Sequence, residues 1–202
     1  MYKPSSLQIV MHCPASAGTA ALAVVVTSMW MTGWDISLLM MDENWWHGQW
    51  WRLVTSALPH VGIVHLVFNV YWLWAFGARL EQRLGSLRVA GMLVLLAAGS
   101  GAAEFAFSDG GVGLSGVGYG LFGFLWYLSR RPGYFCGDID KQNTTLFVGL
   151  FFLCIILTLS DTMPVANIAH AAGAILGVML AWTYSLAPEK RRFGTTAIAA
   201  VL

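Results

Sequence analysis

Six apolar runs, each about as long as a helix needs to cross a bilayer, take up most of this chain and leave little room for any other fold. A hydrocarbon core of ~30 Å requires roughly 20 residues of α-helix, and a backbone in lipid must satisfy its own hydrogen bonds, so such runs read as helices. They lie at about 16–34, 61–78, 88–107, 112–129, 144–160 and 164–186. The expected fold class is all-α: a polytopic membrane protein whose bundle of six transmembrane helices covers 16–187, between a short cytoplasmic N-terminus (1–15) and a cytoplasmic tail (188–202).

Composition points the same way. Hydrophobic residues make up 57% of the 202 and charged residues only 10%, against ~25% charged in a soluble domain. Ten Trp and 22 Gly fit lipid, because Trp gathers at membrane interfaces and Gly lets helices touch. A net charge of +1 gives no electrostatic reason to expect a nucleic-acid partner. Cys13, Cys136 and Cys154 are odd in number and lack metal-ligand spacing, so they read as free thiols, and no metal is expected. The first apolar run is longer than the core of a secretory signal and is followed by further spans, which makes it a retained first helix.

Basic residues set the orientation. With the N-terminus inside, ten of the 11 Lys and Arg fall on the cytoplasmic side: Lys3; Arg79, Arg83 and Arg88; Arg130, Arg131 and Lys141; Lys190, Arg191 and Arg192. Arg52 alone lies outside, with Asp35, Asp42, Glu43, Asp109 and Asp161, so both termini are expected in the cytoplasm. The longest connection, 35–60, carries Trp45, Trp46, Trp50 and Trp51 and reads as a segment at headgroup level. It serves there either as an aromatic anchor or in shaping substrate access.

Polar groups inside spans are costly, which makes them the place to look for chemistry. In the second run His65 and Asn69 are four apart and share a helix face. At the external start of the fourth, Ser115 stands among Gly113, Gly116, Gly118 and Gly120, with Tyr119 one turn further on. At the external start of the sixth, His170 precedes Gly173 and Gly177, a G-x-x-x-G step that permits tight helix contact. Each group alone has an ordinary structural explanation, as glue between helices or relief of bulk. If the fourth and sixth helices pack through their glycines, however, Ser115 and His170 meet at equal depth. A neutral imidazole, with its usual pKa of ~6.5, then suits removal of the serine proton. No acidic residue is placed as a third member, and Tyr119 is positioned to stack on the ring.

In order and spacing, Trp51-Arg52, His60 and His65 with Asn69, Glu81 and Arg83, Gly113-Leu114-Ser115-Gly116 with Tyr119, and His170 with Gly173 and Gly177 resemble the rhomboid family of intramembrane serine proteases. The resemblance covers roughly 45–186. It implies Ser115 as nucleophile and His170 as general base. It also implies an oxyanion hole of His65, Asn69 and the Ser115 backbone N–H, with Tyr119 supporting His170 and Gly113 admitting a close backbone. His60 would be structural, and Glu81 with Arg83 a structural pair on the cytoplasmic side. The implied activity is a serine endopeptidase (a hydrolase) without cofactor that cuts transmembrane segments of single-pass membrane proteins, and the compact form suits a prokaryotic inner membrane.

The competing class is a catalytically inactive rhomboid-like protein that only binds transmembrane segments; such relatives typically lack the Ser or the His, and both are present here. A transporter is disfavoured by the absence of an internal repeat. Other intramembrane proteases are disfavoured because there is no H-E-x-x-H motif and no mid-span Asp pair. Glu104, near the external end of the third run, is expected to make a helix-contact hydrogen bond. The fifth run carries Phe147, Phe151 and Phe152 and, apart from Gly149, little glycine, so it should pack less closely than the fourth and sixth. These rings either simply face lipid or, as the resemblance implies, belong to a gate at the fifth helix and the loop 160–164 past which substrate enters. A suitable substrate would have a helix end that unwinds easily and a small residue at the cut.

Overall fold

The computed structural model describes residues 12–186, all-helical in its regular structure, with no β-strand among the described residues. Lys3, Lys190, Arg191, Arg192 and the tail from 187 lie outside them, as does most of the expected N-terminal segment. Six principal helices follow one another: α1 (Pro14–Met31), α2 (Ile63–Leu84), α3 (Ser86–Phe105), α4 (Ser115–Ser129), α5 (Lys141–Leu159) and α6 (Asn167–Leu186). All but α4 are long and apolar enough to cross a membrane.

The exception is informative. α4 has 15 residues, which at 1.5 Å per residue is only about 22 Å. Every residue from Gly116 to Leu125 is buried, so α4 is a central post surrounded by protein rather than lipid, and its length need not match the bilayer. It begins three residues later than the apolar run because Gly113 holds a left-handed φ of +107° that stops the helix from starting earlier.

α2 runs six residues beyond its expected end and contains one wide turn, Leu73–Ala78, of π type. Gly77 lies in that turn against α1, where a Cβ would come 2.8 Å from Ser16 Oγ. The start of α1 is fixed from the same helix. Glu81 accepts hydrogen bonds from the Ala15 N–H at 2.7 Å, the Ser16 N–H at 2.9 Å and the Ser16 hydroxyl at 2.7 Å. Its carboxylate thus satisfies amides that a helix start leaves bare. The expected Glu81–Arg83 pair is therefore not formed. Arg83 instead makes an ion pair with Asp138 and lies over the Tyr134 and Phe135 rings at 4.9 and 5.0 Å, because the two side chains leave α2 in different directions.

The long connection before α2 is folded around one guanidinium. Arg52, 3% exposed, donates to the carbonyls of Ser37 and Met40 and to Gln49 Oε1, each at 2.6 Å, and meets Asp42 at 3.1 Å. Trp46 and Trp50 project outward, about 70% exposed. α5 buries only Phe147, which agrees with the loose packing expected of that helix; Phe152 turns outward, 58% exposed.

Candidate active site

The site is made by a seam between α4 and α6. A Cβ at Gly173 would fall on the Gly116 carbonyl, and one at Gly177 on the Gly120 carbonyl, while Ser100 of α3 presses on Gly116 from the other side. Only glycine lets two helix backbones come this near, and the G-x-x-x-G spacing puts both glycines on the contacting face. The consequence is a short link between two residues 55 positions apart: His170 Nε2 lies 2.8 Å from Ser115 Oγ.

Ser115 is the first residue of α4, where a backbone N–H has no partner in its own helix and the helix dipole is positive. The preceding amides are engaged, Gly113 N–H with the Ser56 carbonyl at 3.4 Å and Leu114 N–H with His60 Nε2 at 3.2 Å. Because His60 Nε2 accepts, its Nδ1 carries the hydrogen and donates to the Leu58 carbonyl at 2.9 Å. His60 is fully buried, and burial, with His65 beside it, pushes its pKa down to about 4. It is a neutral strut below the loop.

His65 packs edge-to-face on His60 with ring centroids 4.9 Å apart. A Cβ at Gly113 would meet its Cε1 at 2.7 Å and its Nε2 at 3.1 Å, so this edge of the ring is directed at the loop that delivers Ser115. Asn69 is buried on the same face of α2, its Nδ2 donating to the His65 carbonyl at 2.9 Å and leaving one amide hydrogen uncommitted. Tyr119 stacks on His170, centroids 4.7 Å apart at 28°, and its hydroxyl donates to the Phe147 carbonyl of α5 at 3.2 Å. The six residues singled out from sequence thus come together at one end of the bundle.

Glu104 is the residue whose reach sequence did not reveal. Its Oε2 accepts the Ala169 N–H at 2.8 Å and its Oε1 the Ser108 hydroxyl at 3.0 Å. Ala169 immediately precedes His170, so a carboxylate from α3 caps the helix that carries the imidazole. A buried acid in an apolar run was the visible signal; its target was not. A small cavity of about 20 Å³ lies beside Ser115, lined by Ser56, Ser100, Glu104 and Gly116 among others, room for about one water.

Fold and site together define a polytopic helical membrane protein with a serine–imidazole pair at the shared start of its two most closely packed helices. The Rhomboid domain family model matches residues 47–187, and the chain belongs to the rhomboid family. It is 31% identical over 179 residues to the protein named Rhomboid protease GlpG of Serratia proteamaculans (strain 568), covering 84% of this chain and 62% of that one. To the Rhomboid protease GlpG of Photorhabdus laumondii subsp. laumondii it is 30% identical over 168 residues, 81% of this chain and 59% of the relative. The chain therefore spans about three-fifths of the length of these curated relatives.

Proposed function

We propose that this chain is an intramembrane serine endopeptidase with Ser115 as nucleophile and His170 as its base. The observation that carries the reading is the 2.8 Å approach of His170 Nε2 to Ser115 Oγ. Ser115 Oγ attacks the scissile carbonyl carbon as its proton passes to Nε2. The resulting oxyanion takes hydrogen bonds from the Ser115 N–H and from His65 and Asn69, donors of a kind whose single loss typically costs ~100 to 1,000-fold in rate. Collapse breaks the C–N bond, and the imidazolium returns its proton to the leaving amine. A water, for which the cavity beside Ser115 has room, then hydrolyses the ester with His170 again as base.

The substrates fitting this site are single-pass membrane proteins whose helix ends unwind readily, reaching it from the side past α5, the helix that buries least. The split of basic residues supports both termini in the cytoplasm and an externally facing site. The bacterial relatives support an inner membrane. In the test, purified Ser115→Ala and His170→Ala proteins each lose cleavage of a model transmembrane substrate, and the double variant loses nothing more, as for residues acting as a unit. A near-parent rate in either single variant overturns the dyad. Substrate binding without cleavage by the parent protein would instead identify an inactive rhomboid-like binder.

A further inference from the structure

We propose that Asn167 is a positioning residue for His170, its side-chain oxygen serving as the acceptor for the Nδ1 hydrogen. The proposal rests on the Ser115–His170 reading and completes it with an amide where other serine hydrolases use an acid. If Nε2 is to take the serine proton, Nδ1 must carry the ring hydrogen. In the structure His170 Nδ1 is buried and has no hydrogen-bond partner, and so is Asn167 Oδ1. The two residues are three apart at the start of α6, hence on one helix face, and helical side chains lean toward the N-terminus, so the imidazole leans toward Asn167.

The end of the amide that carries oxygen is fixed by chemistry. Asn167 Nδ2 lies 3.1 Å from the Val165 carbonyl, which can only accept, and 2.8 Å from Thr158 Oγ1. The Thr158 hydroxyl hydrogen is already given to the Cys154 carbonyl at 3.1 Å, so that oxygen also accepts. The NH₂ is therefore held by two acceptors, and Oδ1 is a firmly placed acceptor with nothing to accept. The carboxylate that reaches this turn, Glu104, is engaged by Ala169 and Ser108. A buried donor and a buried acceptor are thus left over on one helical turn, and the proposed hydrogen bond is the one that pairs them. Such a link favours the tautomer with Nε2 free and stabilises the imidazolium formed during attack.

The alternative is that Asn167 only latches α6 to the end of α5 through Thr158. Three proteins separate the two: the parent, Asn167→Leu, which removes the oxygen, and Thr158→Val, which loosens the latch but leaves the amide held by Val165. Each is assayed on a transmembrane substrate and on a small water-soluble ester. Nitrogen-15 NMR of histidine-labelled protein, assigned against His170→Ala, reads the tautomer. Asn167→Leu should lower kcat on both substrates by about tenfold or more, less than the ~10⁴-fold lost with a buried orienting acid because the group removed is neutral, leave KM for the ester within about twofold, and convert part of His170 to the Nε2–H form. Thr158→Val should keep ester kcat within about twofold and the parent tautomer. Asn167→Ala gives the same tautomer comparison should the leucine protein not fold. The proposal is overturned if the Asn167 variants retain the Nδ1–H tautomer and parent ester kcat, or if Thr158→Val lowers ester kcat as much as Asn167→Leu. Ser115→Ala and His170→Ala run alongside: activity in those would sink the dyad itself, whereas inactivity there with a normal Asn167→Leu sinks only the positioning role.

Discussion

His170 and Ser115 approach to 2.8 Å across the seam where Gly173 rests on the carbonyl of Gly116. The separation of the two reactive atoms is therefore set by how closely two backbones lie, and a methyl group in the seam acts on the site as much as on packing.

Gly173→Ala should push α6 from α4 and lower cleavage of both transmembrane and ester substrates by about 100-fold, the order of loss produced by a 1 Å misplacement. Gly149→Ala in α5, where a Cβ meets nothing within 4 Å, is the control and should leave both rates unchanged. Parallel kcat measurements decide it, and an unaffected Gly173→Ala protein would remove the seam as the determinant of geometry.

Gly113→Ala carries two penalties: a φ of +107° and a Cβ 2.7 Å from His65 Cε1. Unfolding in detergent should show a loss on the order of 1–3 kcal/mol from backbone strain, and ester hydrolysis should fall because His65 and the Ser115 amide are displaced together.

Glu104 should tolerate Gln better than Ala. The amide oxygen can still accept the Ala169 N–H now held at 2.8 Å, whereas alanine removes the cap, a loss typically of ~1 kcal/mol and up to about 2. Denaturation midpoints and ester kcat should both rank parent, Glu104→Gln, Glu104→Ala. Equal stability of the last two would show that the cap contributes nothing.

Acidification should weaken the fold through His60. Its folded pKa of about 4 lies below the ~6.5 of an exposed histidine, so the unfolded chain takes up a proton first and stability declines as pH falls from about 6.5 toward 4. Above that window the contribution is fully present. Thermal unfolding from pH 7 to 4 should show a fall that His60→Gln diminishes, as glutamine does not titrate.

The rings of α5 divide into separate roles. Phe151 is half-buried, 6.0 Å from Tyr119, and Phe151→Ala should raise cleavage of a transmembrane substrate while leaving ester hydrolysis near the parent rate. Phe147, 3% exposed and stacked on Phe122 at 4.4 Å, supports the ring that supports His170. Phe147→Ala should cost about 3–5 kcal/mol and slow both reactions. Phe152→Ala, on the outer surface, should change neither.

The helical class, the number of principal helices and the residues worth testing were legible because lipid imposes rules that act along the chain. A spanning segment must be apolar for about 20 residues and satisfy its own backbone, so 61–78 or 144–160 announces itself without reference to any other part of the molecule. A glycine step such as Gly173 and Gly177 adds which face is open to contact. What sequence could not determine was the partner of each polar side chain. Glu104 reaches Ala169 across 65 positions, and Glu81 reaches Ser16 across another 65 rather than pairing with Arg83. α4 is too short to span because it is enclosed by its neighbours, a fact about those neighbours rather than about its own composition. The orphaned Nδ1 of His170 and Oδ1 of Asn167 are visible only once every nearby donor and acceptor has been assigned. Hydrophobicity is a property of a segment and can be read in one dimension; a hydrogen bond depends on distance and direction between two atoms, and only the folded backbone sets those.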